Sequence, residues 1–224
     1  MSIRSDFSPA ELWQGCVLAT IAHAIFTAGH PELANEQSWD GFSYNIQDSQ
    51  GSLGTITFAE EGTVGAFFDS HSSRNPFSSG EPYDMNSRLV EMPADLRALA
   101  EHEALQYLIQ DYNGADVPLI TTAFWSEGDF LAAAEPWADV FSNGAHLVQT
   151  QLRRTDESIG VWRSHYGLTS SQVGLLRSLF ARKVAASEAP IILTSQEKAA
   201  LLERGSQGLD QSRALLAEVA VTVP

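Results

Sequence analysis

Residues 8–28 constrain the fold more than any other stretch of this chain. Ser8-Pro9-Ala10-Glu11 opens a helix: Ser8 can cap it, Pro9 suits the first helical position and Glu11 can close a capping box. Gly29 and Pro31 stop it after Ala28. In between, Trp13, Val17, Leu18, Ile21, Ala24, Ile25 and Phe26 wrap most of the circumference. A helix that is apolar nearly all round is a buried one. The rest of the chain must therefore enclose it.

The next segment supplies a sheet. Phe42-Ser43-Tyr44-Asn45-Ile46 alternates with period two, Asp48-Ser49-Gln50-Gly51 is turn chemistry, and Leu53 to Phe58 alternates again. Glu60-Glu61-Gly62 is a second turn, followed by a third strand from Thr63 to Phe68. Short strands joined by tight turns make an antiparallel meander. Ile46, Ile56, Phe58 and Val64 are its expected core-facing residues. His71 to Gly80 reads as a loop.

Beyond it the pattern is mostly helical. Pro93–Gln110 has helical periodicity through Leu96, Leu99, Leu105 and Leu108. Val117 to Phe124 reads as a fourth strand that Pro118 confines to an edge or a strand start. Asp129–Phe141 reads as a helix interrupted at Pro136. Thr169 and Thr194, each followed three residues later by Gln172 and Glu197, open two more helices, and a last one spans Leu209–Val219. The expected fold is α+β: a buried N-terminal helix packed on a three- or four-stranded antiparallel meander, with a mostly helical C-terminal half. One domain over residues 1–224 is expected, with sub-lobes 1–90 and 91–224.

Charge narrows the partners. The net charge is −15, and no Lys or Arg occurs between Arg4 and Arg74 or from Ala98 to Leu152. Nine of the 13 basic residues fall at or after Arg153. Such a field repels nucleic acid and anionic membrane and attracts cationic partners. No apolar run reaches the roughly 18 residues of a membrane helix, and no apolar stretch separates Arg4 from Pro9, so neither a membrane span nor a signal peptide is expected. With one cysteine, Cys16, no internal disulfide can form. The reading is a cytoplasmic protein, and the preference for Arg over Lys suggests a GC-rich, bacterial genome.

Chemistry-bearing residues are few. Cys16, His23 and His30 recur every seven residues on one stripe of the first helix. At 1.5 Å per residue, neighbours in that stripe are about 10 Å apart, too far to share one metal ion. No metal site is expected. Walker A, GxGxxG, GxSxG and CxxC patterns are absent, so no cofactor is expected either. Asp69 and His71 lie on one face at the end of the third strand, where a carboxylate can orient an imidazole. Gln14-Gly15-Cys16-Val17 before an apolar helix, then a meander ending at Asp69-Ser70-His71, resembles the order of elements in papain-like cysteine hydrolases. That resemblance implies Cys16 as nucleophile and His71 as its base, although the Ser8 start leaves Cys16 two turns inside the helix.

Trp39, Asp40 and Tyr44 sit at the sheet entrance, where aromatic and polar side chains can form a binding edge. Glu60 and Glu61 add charge at the second turn. The leading expectation is a non-catalytic acidic binding or regulatory protein that presents these residues to a protein partner with a basic surface, in the manner of an immunity-type inhibitor. The alternative is the cysteine hydrolase of Cys16 and His71. Self-association through the C-terminal helices is a third option.

Overall fold

The computed structural model describes residues 2–79, 83–186 and 189–224. It is a mixed helix and strand protein, as expected. In chain order its elements begin with β1 (Ile3–Arg4), α1 (Pro9–Thr27), a 3-10 helix over Pro31–Glu36 and β2 (Gln37–Asp40). The meander follows as β3 (Ser43–Gln47), β4 (Ser52–Ala59) and β5 (Gly62–Asp69). Then come α2 (Pro76–Ser79), α3 (Ala94–His102), β6 (Ile109–Tyr112), β7 (Ala115–Pro118), β8 (Thr122–Glu127), β9 (Phe130–Ala133) and α4 (Trp137–Ser142). The C-terminal part holds α5 (Thr155–Tyr166), α6 (Ser170–Ala185), β10 (Ile191–Ile192), α7 (Ser195–Leu201), α8 (Leu209–Glu218) and β11 (Val221–Thr222). Two compact units result: unit 1 is Met1–Leu12 with Phe42–Gln149, and unit 2 is Trp13–Gly41 with Thr150–Pro224. Among the described residues no helix is long and apolar enough to cross a membrane.

Unit 2 encloses most of α1. The capping box forms as the sequence indicates: Ser8 N–H donates to Glu11 Oε2 at 3.0 Å, and Glu11 N–H donates to Ser8 Oγ at 3.2 Å. Val17, Leu18, Ile21, Ala22, Ala24, Ile25 and Ala28 share a core with Ile159 and Trp162 of α5, Leu175, Leu176 and Leu179 of α6, Leu201 of α7, and Leu215 and Leu216 of α8. This corrects the expectation that the meander covers the helix. From Val17 onward its apolar circumference finds cover in the C-terminal helices, which offer complementary stripes. The helix runs unbroken through Gly15, where the backbone of Gln151 comes so close that a Cβ would lie 1.9 Å from its carbonyl oxygen. The boxes at Thr169 with Gln172 and Thr194 with Glu197 both form.

Unit 1 is built on the antiparallel strand order β1-β9-β8-β5-β4-β3. One face, carrying Val64, Ala66, Ala123, Trp125 and Ala132, is covered by Leu96 and Ala100 of α3 and by Leu105 and Leu108. The opposite face carries Ile56 and the rings of Phe67 and Phe124. Phe67 pairs with Gly54 and Phe124 with Gly65 in the register. A Cβ on Gly54 would lie 2.2 Å from Phe67 Cδ1, and one on Gly65 2.4 Å from Phe124 Cζ. Each ring therefore lies over the bare backbone of the neighbouring strand. Further out, Phe124 meets Trp137 of α4 at a 5.7 Å ring separation.

Two-sided cover changes how the meander reads. Ile56 and Val64 are both fully buried but on opposite faces, because Ile56 pairs with Gly65. Ile46 is buried too, whereas Phe58, expected in the core, is only half-buried near the end of β4. Downstream, the helix read over Pro93–Gln110 ends at His102, passes through a 3-10 turn over Ala104–Leu108 and gives way to the β6–β7 hairpin. Asn113 (φ 57°) and Gly114 (φ 81°) form its two-residue turn, a strong hairpin dipeptide that the helical period masked. The expected strand over Val117–Phe124 splits between β7 and β8. In Asp129–Phe141 the first half is β9, joined to β8 through Gly128 (φ 64°), and α4 follows Pro136.

Candidate functional site

A groove of about 990 Å³ opens on unit 1, lined by Phe42, Phe58, Ala59, Glu60, Glu61, Asp95, Ala98, Leu99, His102 and Glu103. Helical geometry makes one wall. Asp95, Ala98, Leu99 and His102 follow the i, i+3, i+4, i+7 spacing of a single face of α3, while Leu96 and Ala100 point into the core beneath. The end of β4 and the turn into β5 make the other wall. Phe58 and Ala59 are half-buried, Glu60 and Glu61 stand in solvent, and Phe42 is 45% exposed.

Among the described residues, four carboxylates surround an apolar floor and no Lys or Arg lines the groove. Arg97, the cation on α3, is held by Glu101 at 3.0 Å and also reaches Asn86. His102 places Nδ1 2.7 Å from the carbonyl of Ala98, so Nδ1–H donates there. The lining residues include no cysteine, serine or threonine nucleophile. Among the described residues, no group of three or more His, Cys, Asp and Glu is placed to hold a metal ion. Aromatic and aliphatic surface beside carboxylates suits a ligand that is both cationic and partly apolar.

Charge is divided unequally between the units. Unit 1 has 18 acidic and four basic residues, a formal charge of −14, whereas unit 2 has ten and nine, a charge of −1. Both basic-free stretches of the sequence contribute to the groove: Glu60 and Glu61 come from the first and Glu103 from the second.

The other residues singled out in the sequence have different placements. Cys16 is wholly buried in unit 2, and burial pushes its thiol up, the opposite of what a nucleophilic cysteine requires. His71 belongs to unit 1, where its side chain is 68% exposed and Nδ1 lies 3.6 Å from Asp69 Oδ1. Asp69 is itself buried and ties the loop down: its carboxylate accepts from the His71 amide at 2.8 Å and from the Ser52 hydroxyl at 3.3 Å. Trp39 donates its indole N–H to Thr20 Oγ1 at 2.9 Å and its amide to Glu218 Oε2 at 2.9 Å, so it is anchored within unit 2. Asp40 is exposed at the end of β2. Tyr44 has no exposed surface, which removes it from any binding edge: alternation turns it onto the same covered face as Ile46. Of the five expected binding residues, Glu60 and Glu61 line the groove. Phe42, Asp95, Leu99, His102 and Glu103 were not anticipated there. The outward face of α3 was their legible signal, but nothing local said what it would face.

No family model, no curated protein and no solved structure matches this chain.

Proposed function

We propose that the protein is a non-catalytic binding or regulatory protein whose unit 1 takes a cationic segment of a protein partner into the groove between α3 and the β4–β5 turn. The charge division carries this reading: an acidity meant only for solubility has no reason to collect −14 on one unit and −1 on the other. The groove gives that field a floor. Phe42, Phe58 and Leu99 offer apolar contact, and Glu60, Glu61, Asp95 and Glu103 offer counter-charges for Arg or Lys. An immunity-type inhibitor of a basic protein works by this combination of long-range attraction and short-range apolar contact.

The test uses a labelled peptide alternating arginine with leucine, and a counterpart with glutamate in place of arginine. Binding is followed by fluorescence anisotropy as salt rises. The arginine peptide should bind and weaken steeply once the Debye length falls below about 10 Å, and the glutamate peptide should not bind. Glu60→Lys with Glu61→Lys should abolish binding. Asp116→Lys with Asp129→Lys, equal in charge but outside the groove, should only weaken it. Equal losses in the two double variants would reduce the groove to part of a diffuse field. No binding by the arginine peptide would remove the reading.

A further inference from the structure

We propose that His23 is an acid-sensitive latch: protonation of its imidazole releases the 3-10 segment Pro31–Glu36 and the start of β2 from the body of unit 2. His23 lies in mid-helix on α1 with no exposed surface. Its Nδ1 is 3.2 Å from the Tyr166 hydroxyl, and that oxygen also accepts from Gln37 Nε2 at 3.3 Å. The backbone carbonyls of Leu33 and Ala34 in the 3-10 segment favour a proton on the ring's other nitrogen, Nε2, which leaves Nδ1 to accept the hydrogen of the Tyr166 hydroxyl. The neutral ring therefore carries its proton on Nε2, which faces those two carbonyls without a well-formed hydrogen bond. Tyr166 is fixed in turn by stacking against Phe26 at 4.6 Å and Trp162 at 5.5 Å.

A proton on Nδ1 breaks this arrangement. Nδ1 can no longer accept, the Tyr166 hydrogen loses its acceptor, and a charge appears among aromatic rings. Among the described residues no carboxylate touches the imidazole. Glu36 acts on Tyr166, Glu32 is paired with His30 at the end of α1, and His165 on α5 opposes a second positive charge. Glu218 on α8 holds the Trp39 amide. Burial pushes its carboxyl up, so its protonation is favoured in the folded state and opposes release. The least costly way to admit water to the ring is to move the 3-10 segment, which has no buried residue and no side-chain cap.

The sign follows from burial, which lowers His23 from its ordinary value of 6.5 to about 4. The closed state binds the proton more weakly than the open one. The latch is therefore fully closed above the ordinary histidine range and loosens as pH falls from there toward 4. By linkage, the population with segment 31–37 open rises about 20-fold between pH 7 and pH 5.

Hydrogen exchange of the full chain, corrected for intrinsic rates, tests this at the two pH values. Amides of residues 32–37 should lose protection by that factor while those of α6 keep theirs. His23→Gln, which keeps an amide but cannot titrate in this range, should show no such step. A wild-type NMR titration of the His23 ring provides a check that needs no variant, and it should place the ring well below the ordinary histidine range. Unchanged protection of 32–37, loss of α6 protection in step with it, the same pH step in His23→Gln, or a ring titrating at its ordinary value would each overturn the latch.

Discussion

Replacing Gly54 with alanine tests whether the sheet of unit 1 depends on rings lying against bare backbone. On propensity alone the change should help, since glycine inside a strand costs about 0.5–1 kcal/mol relative to alanine. The structure reverses the sign. The new Cβ would meet Phe67 Cδ1 at 2.2 Å and Cε1 at 2.6 Å, so the ring must lift by on the order of an ångström to regain ordinary contact. It has little room to do so. Phe67 is fully buried, and Phe124, itself seated over Gly65, lies 5.6 Å away. Overpacking of this kind costs about 1–3 kcal/mol, which set against that gain leaves a net loss of up to about 2.5 kcal/mol. For a chain of this size that lowers the melting temperature by up to roughly 10 °C.

The assay is urea or thermal unfolding of wild type, Gly54→Ala, Phe67→Ala and the double variant. Alanine at 67 removes Cγ, Cδ1 and Cε1, the ring atoms that the new Cβ would meet, so alanine at 54 should be neutral or stabilising in that background, with a coupling of about 1 kcal/mol or more. A single Gly54→Ala variant more stable than wild type would refute the account of the sheet given above.

Other expectations follow from burial and capping. Ile56→Asp should leave no folded protein in the soluble fraction, because a carboxylate on the covered face has no partner. Phe58→Asp should fold with only a modest loss, and equal damage from the two would mean that the end of β4 is not half open. Native Cys16 should react with iodoacetamide only on the timescale of unfolding, since it is fully enclosed and its thiol is pushed up. Rapid labelling would reopen the hydrolase alternative. Thr194→Ala removes the acceptor for the Glu197 amide and should cost about 1 kcal/mol. A variant as stable as wild type would show that the α7 cap contributes nothing.

Readings of local chemistry fared differently from readings of periodicity. The boxes at Ser8, Thr169 and Thr194 were legible because donor and acceptor are three residues apart. The three meander strands were legible because alternation and turn residues agree. Periodicity misled at Ile109–Tyr112, where an apolar spacing suited to helix hid an Asn-Gly hairpin, and at Phe130–Ala133, where Gly128-Asp129 was passed over as a turn. In the groove, Glu60 and Glu61 were legible as an exposed acidic turn. Tyr44 was misplaced because a surface reading assumes an open face, and this sheet is covered on both sides around β5.

By itself, then, the sequence determined that α1 is buried, where several helices begin, that residues 43–69 form a meander and that acidity is concentrated before Arg153. Each of these depends on partners a few residues away or on plain composition. The tertiary structure decided which surfaces meet: α1 with helices more than a hundred residues later, Phe67 with Gly54, and the outward face of α3 with the turn at Glu60 and Glu61. An apolar or acidic face specifies that it needs a complement but not which of several equally apolar or basic segments supplies it. That choice depends on shape and packing across the folded chain.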